Sequence, residues 1–353
     1  MIALLLAACT SAAPPPAADS SDPVVPVQAT TSGSSSKGTP SPTPAPVNAA
    51  PAPATTLAQP PVVSVSLGDA IDALFPDGLP PDTCTEGDDA LRIRCLVSRH
   101  YADDAAATAL ALEMFDRTGD VSGVERSQTM DGGFRGVLSL VPERPVGRHF
   151  KHLQWVAAAR RDHAEFFDEI ARRAERPIAY RHRALTLRWF RSVGRTTPSA
   201  YASGWSVAWN VSGSLHKNAD KARETLFHEV FHLNDFDHGD WSRRALAQIH
   251  AGIFTRCGTS RRCLRPYAPS ETTVRGGTYY AFQPDNGDSF HEYAAELALR
   301  WYRENRAVIR REPTGQEPFK CGPEENARAW RLLVAEFFAG VDLVPHCGPH
   351  SDR

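Results

Sequence analysis

The stretch Glu224-Thr225-Leu226-Phe227-His228-Glu229-Val230-Phe231-His232-Leu233-Asn234-Asp235 decides how this chain is read. His228 and His232 are four residues apart, about one helical turn, so both imidazoles project from one face and can reach a single metal ion. Glu229 is rotated by about 100° from His228. A carboxylate there can hold a water beside the metal and take its proton. The flanks favour a helix: Leu226, Val230 and Leu233 form one apolar stripe, Phe227 and Phe231 another. Asn218 or Asp220 can cap its start, and Asn234-Asp235 can stop it. Apart from the histidines and Glu229 the helix is apolar nearly all round, which predicts burial. Buried polar groups need partners. A metal supplies one; hydrogen bonds within an ordinary core helix would be the plainer alternative.

Catalytic zinc takes three protein ligands and keeps an open position, so a third ligand is required. Two candidates compete. His238 completes His228-x₃-His232-x₅-His238, the spacing of the metzincin signature. Asp235 stands where that signature has its turn glycine, and Asp enters the left-handed conformation less readily. Metzincins also place a methionine beneath the metal, whereas Met1, Met114 and Met130 all precede the helix. The second candidate is Glu292 in Ser289-Phe290-His291-Glu292-Tyr293-Ala294-Ala295-Glu296. Glu292 and Glu296 share a helix face, so one can bind metal while the other orients a ligand histidine. Ser289-x-x-Glu292 also reads as a capping box, which explains the same glutamate without a metal.

The pair of segments, His228-Glu229-x-x-His232 and Glu292-x-x-Ala295-Glu296, resembles the gluzincin class of zinc metallopeptidases. The second segment is most similar to the lethal-factor type, which includes the Pro-Pro endopeptidases. The resemblance covers residues 145–305 and implies one Zn²⁺ per chain on His228, His232 and Glu292; His238, from its spacing, stays the alternative third ligand. It implies Glu229 as general base and acid, Glu296 behind a ligand histidine, and a polypeptide as substrate. In the lethal-factor type a tyrosine just upstream of the ligand helix assists the oxyanion. Tyr279 and Tyr280, after Gly276-Gly277, are the candidates, although their spacing to Glu292 is longer. Successive strand residues face opposite ways, so at most one of the two should face the metal. Aromatic packing accounts for either one equally well.

The chain opens Met1-Ile2-Ala3-Leu4-Leu5-Leu6-Ala7-Ala8-Cys9, and Leu6-Ala7-Ala8-Cys9 resembles the lipobox of bacterial lipoproteins. No Lys or Arg precedes the apolar run, unlike the usual signal. The resemblance implies removal of residues 1–8 and lipidation at Cys9, hence an exported protein anchored in the bacterial cell envelope. Residues 9–62 are rich in Pro, Ala, Ser and Thr and cannot bury enough apolar surface to offset their ordering entropy, so a disordered tether is expected. Six cysteines remain of the seven. The local pairs Cys84–Cys95, Cys257–Cys263 and Cys321–Cys347 are the simplest of fifteen connectivities, and no C-x₂₋₄-C pair suggests a second zinc site. The formal charge of −2 with scattered basic residues leaves no nucleic-acid footprint.

Between these landmarks, 67–75, 103–115, 153–174 and 325–338 read as helices, with Trp155, Phe166, Phe167 and Ile170 expected to be buried. Residues 134–141, 184–190 and 203–212 read as strands. By resemblance, Trp205 to Val211 becomes the sheet-edge strand beside the cleft; plain sheet core is its other reading. The expected fold is α+β: a zincin-like domain over 145–353, with a small sheet, a backing helix, the metal helix and a mainly helical C-terminal half. A subdomain over 63–144 packs on it. The expected function is zinc-dependent peptide hydrolysis. A non-catalytic zinc-containing envelope binding protein and a cell-wall amide hydrolase are the rival readings.

Overall fold

The computed structural model describes residues 64–80, 83–131, 136–274, 277–284, 289–313 and 315–348. Cys9, the signal-like start and the tether to residue 62 lie outside the described residues, as do Arg275 and Gly276. Three short helices lead the described chain, each started by a side chain that accepts from a backbone N–H the first turn leaves unpaired. Ser66 opens α1 (Leu67–Leu74), Asp88 opens α2 (Asp89–His100) and Asp104 opens α3 (Ala105–Thr118). Gly119, in the left-handed conformation, ends α3.

The strands β1 (Val121–Val124), β2 (Gln128–Asp131) and β3 (Val137–Pro142) follow. After α4 (Phe150–Arg173) come β4 (Thr186–Ser192), β5 (Ala200–Ser203) and β6 (Ser206–Asn210). All six form one sheet in the order β2-β3-β4-β6-β5. β1 lies parallel to the first half of β4, and β3 runs antiparallel to its end, so both share one edge of that strand. Residues 63–144 therefore supply three strands to the sheet that holds β4–β6. The architecture is mixed, with helices predominating and antiparallel and parallel pairs in one sheet.

The expected strand over 203–212 is two strands. Ser203 pairs with Ser206 across a two-residue turn in which Gly204 and Trp205 both have positive φ, the geometry of a tight hairpin. β6 pairs β4 on one side and β5 on the other, so Trp205–Val211 is not the edge. That place belongs to β5. The plain-core reading of Trp205–Val211 is the correct one, since Val207 and Trp209 are fully buried.

The backing helix α4 buries Leu153, Val156, Phe166, Phe167 and Ile170. Trp155 is only half-buried, with the Lys151 ammonium 5.5 Å from its ring centre. Against α4 lies α5 (Ala219–Asp237), capped by Asn218, whose side chain accepts from Lys221 N. The helix runs on past the expected stop at Asn234-Asp235. Three short helices, α6 (Trp241–Ala245), α7 (Ala247–Cys257) and α8 (Arg261–Leu264), then lead towards α9 (Ser289–Arg310) and α10 (Glu324–Phe337). α9 packs on the side of α5 that bears the histidines, and Trp301 of α9 stacks on Phe338 at 3.5 Å. The expected disulfides Cys84–Cys95, Cys257–Cys263 and Cys321–Cys347 are all formed. No helix among the described residues is long and apolar enough to cross a membrane.

Candidate metal centre

α5 and α9 between them assemble a compact donor set. His228 Nε2 lies 3.1 Å from His232 Nε2 and 3.1 Å from Glu292 Oε2, while His232 Nε2 lies 3.6 Å from that same oxygen. A tetrahedral zinc with bonds near 2.0–2.1 Å holds its ligand atoms about 3.3 Å apart. The observed triangle matches that size. Its chemistry also fits a cation, because two imidazole nitrogens and a carboxylate oxygen converge on one point. Both carboxylate oxygens of Glu292 are engaged. One of its oxygens faces the histidines, and the other accepts a hydrogen bond from the Tyr280 hydroxyl at 2.9 Å.

The surroundings hold these groups in place. His228 Nδ1 lies 3.3 Å from Glu296 Oε1, one turn along α9 from Glu292, so the ring is gripped at both nitrogens. Small Ala294, Ala295 and Ala298 are fully buried and let α9 come close to its neighbours. Burial opposes a charge on His228, but the carboxylates of Glu292 and Glu296 outweigh it and set its pKa well above the ordinary histidine value. Burial likewise opposes charge on Glu292, and hydrogen bonds from His228 and His232 hold its carboxyl far below the usual range. Glu229 is buried beside them, and burial pushes its pKa up although His228 and His232 pull the other way. The arrangement sets a buried carboxylate beside three donor atoms close enough together to share one ion.

His238 is not part of this set. α5 continues through Asp235 to Asp237, which carries His238 past the point where a turn would bring it back. Its Nδ1 faces Glu336 at 2.8 Å and its Nε2 faces the Ala179 carbonyl at 3.3 Å. Asp235 itself is buried and accepts from the Ser242 backbone N–H at 2.8 Å and its hydroxyl at 2.5 Å, fixing the start of α6. Of the two tyrosines, Tyr280 reaches the donor set. Tyr279 instead pairs through its backbone with Thr273 and lies below the Arg261 guanidinium. The segment is a bridge followed by a short 3₁₀ turn, not the expected strand.

A second group, Asp235, Asp240 and His291, also gathers its polar atoms, and sequence reasoning passed over it. His291 Nε2 lies 2.5 Å from Asp240 Oδ1, and Arg243 donates to the other oxygen of that residue. With Ser242 on Asp235, these contacts form a hydrogen-bonded tie between α5, α6 and α9. The adjacency of His291 to Glu292 was the only sequence signal for it.

Compared with protein-family models, with curated proteins and with solved structures, the chain matches none.

Proposed function

We propose that this protein is a zinc-dependent metallopeptidase built on a gluzincin-like, zincin-type scaffold. The convergence of His228, His232 and Glu292 beside the buried Glu229 carries this reading. Those three residues would hold the zinc, which when bound would supply Lewis acidity toward a scissile carbonyl and lower the pKa of a water. Glu229 accepts the proton of the attacking water and returns it to the leaving amine. Glu296 holds the His228 ring in its ligating orientation. The Tyr280 hydroxyl, now on Glu292, passes its hydrogen bond to the carbonyl oxygen as that atom becomes negative. β5 is the sheet-edge strand packed near α5, and an extended peptide can add to it through backbone hydrogen bonds. The lipobox-like start and the three disulfides favour an exported protein held in the bacterial envelope through Cys9.

Metal analysis tests the proposal. Purified protein should hold about one zinc per chain, and His232→Ala and Glu292→Ala should lose it while His238→Ala keeps it. Glu229→Gln should keep the metal and lose about 10²–10⁴-fold in peptide hydrolysis. Zinc that survives Glu292→Ala but not His238→Ala would sink the ligand assignment.

A further inference from the structure

Phe236 is 75 % exposed on a helix whose neighbouring residues, Phe227 to Phe231 and Leu233 to Asp235, are buried. Its position follows from helical arithmetic. Seven residues separate it from Glu229, two turns less about 20°, and four separate it from His232. Phe236 therefore continues the stripe that carries the proton acceptor and the second histidine. It lies about 10.5 Å along the axis from Glu229 and about 6 Å from His232.

A second observation places the sheet edge beside it. Trp205 sits in the two-residue turn that joins β5 to β6, and its indole N–H donates to Asp237 Oδ2 at 2.9 Å. Asp237 is the residue after Phe236. The hairpin turn at the C-terminal end of β5 is thus tied to the same turn of α5 that presents the exposed ring, and β5 itself packs near α5. A peptide added to β5 in the antiparallel sense, the more stable pairing, has its N-terminal part at this end of the strand. With about 3.3 Å per residue, the 6–10 Å from the catalytic groups to Phe236 spans two or three residues.

We infer that Phe236 walls an apolar subsite for the substrate side chain two or three residues before the scissile bond. The inference rests on the peptidase reading. Burial of an apolar substrate side chain against the ring would remove both from water, a gain that a polar side chain at the same position would not make.

The test is cleavage profiling of a peptide library by the zinc-loaded wild type, Phe236→Ala and Phe236→Glu. The wild type should favour Leu, Phe or Val over Asp and Lys at the second or third position before the cleaved bond. Phe236→Ala should lose about tenfold of that preference in kcat/KM, and Phe236→Glu should shift it toward Lys or Arg. Because the ring is exposed, both variants should melt within a few degrees of the wild type. An unchanged profile in Phe236→Ala, or a preference confined to residues after the cleaved bond, overturns the subsite and leaves the peptidase reading intact. Absence of any cleavage lost in Glu229→Gln overturns the peptidase reading, and the subsite falls with it.

Discussion

Gly123 shows how far a single residue can constrain the packing. A Cβ built there would lie 2.2 Å from the Ala73 carbonyl oxygen and 2.9 Å from the Ala73 Cβ, so β1 and the end of α1 meet backbone to backbone. Alanine normally suits a regular element better than glycine because less conformational entropy is lost. Here overpacking outweighs that gain, since a backbone carbonyl on a packed helix cannot swing aside. Gly123→Ala should destabilise the fold by about 1–3 kcal/mol, read as a lower urea midpoint. An unchanged or raised midpoint would mean that α1 does not pack on β1 as described. Asp235 is the opposite kind of case. Its departure from the metzincin glycine was visible in the sequence and pointed away from His238. Its partnership with Ser242 explains the departure, because that carboxylate anchors the next helix.

At the scale of elements, the join between α4 and the sheet depends on a buried ion pair. Arg160 of α4 is 1 % exposed, and its Nε and Nη2 donate to the two oxygens of Asp120 at 2.7 and 2.9 Å. Asp120 precedes β1 and also accepts from Leu185 N, just before β4, at 2.8 Å. One carboxylate thereby sets a helix and two parallel strands in register. Asp120→Ala should cost about 3–5 kcal/mol by leaving the guanidinium buried without its counter-charge. Adding Arg160→Met should recover part of the loss, so the two changes are not additive. A cost below about 1 kcal/mol for the single change, measured by chemical denaturation, would rule this role out. Elements with clean periodicity were legible beforehand: α4, α10, β4 and the helix carrying His228. α2 was missed although Asp88 caps it and Ile93, Leu96 and Val97 are buried on one face, because three arginines interrupt the pattern. The β5–β6 hairpin was read as one strand because Trp205, a strand-favouring residue, occupies a left-handed turn position that usually falls to glycine or asparagine. The facing of His228 and His232 could be read from spacing alone, and their meeting with Glu292 from spacing and resemblance. The choice of Tyr280 over Tyr279 needed the backbone.

For the molecule as a whole, the buried histidines set its response to acid. His152, His163 and His216 are 3, 1 and 7 % exposed, and each has one ring nitrogen buried without a hydrogen-bond partner among the described residues. His216 uses its other nitrogen on the Asn210 carbonyl and stacks on Trp209 at 3.9 Å. Protonating the lone nitrogen would bury a cation with nothing to receive it. Burial, aided by Lys151, lowers the pKa of His152 to about 4; burial, aided by Arg160, lowers that of His163 to about 3. Burial also lowers that of His216 to about 3. The unfolded chain titrates these groups near 6.5. Between pH 6.5 and about 4 the unfolded state therefore binds more protons than the fold, and stability falls as pH falls. The contribution is fully present above pH 6.5, and each histidine removes up to about 1.4 kcal/mol per pH unit below it. Asp162, which burial would raise, is instead held to about 2 by Arg306 and Tyr302, so it adds a further loss in the same direction at lower pH. Three such histidines can remove up to about 6 kcal/mol by pH 5, comparable with the 5–15 kcal/mol total of a typical fold. Urea midpoints should be level from pH 8 to 7 and drop steeply from 6 to 5. His163→Gln, whatever it costs at pH 7, should make that drop shallower by up to one proton's worth. A midpoint as high at pH 5 as at pH 7 would show that these histidines are not held neutral in the fold.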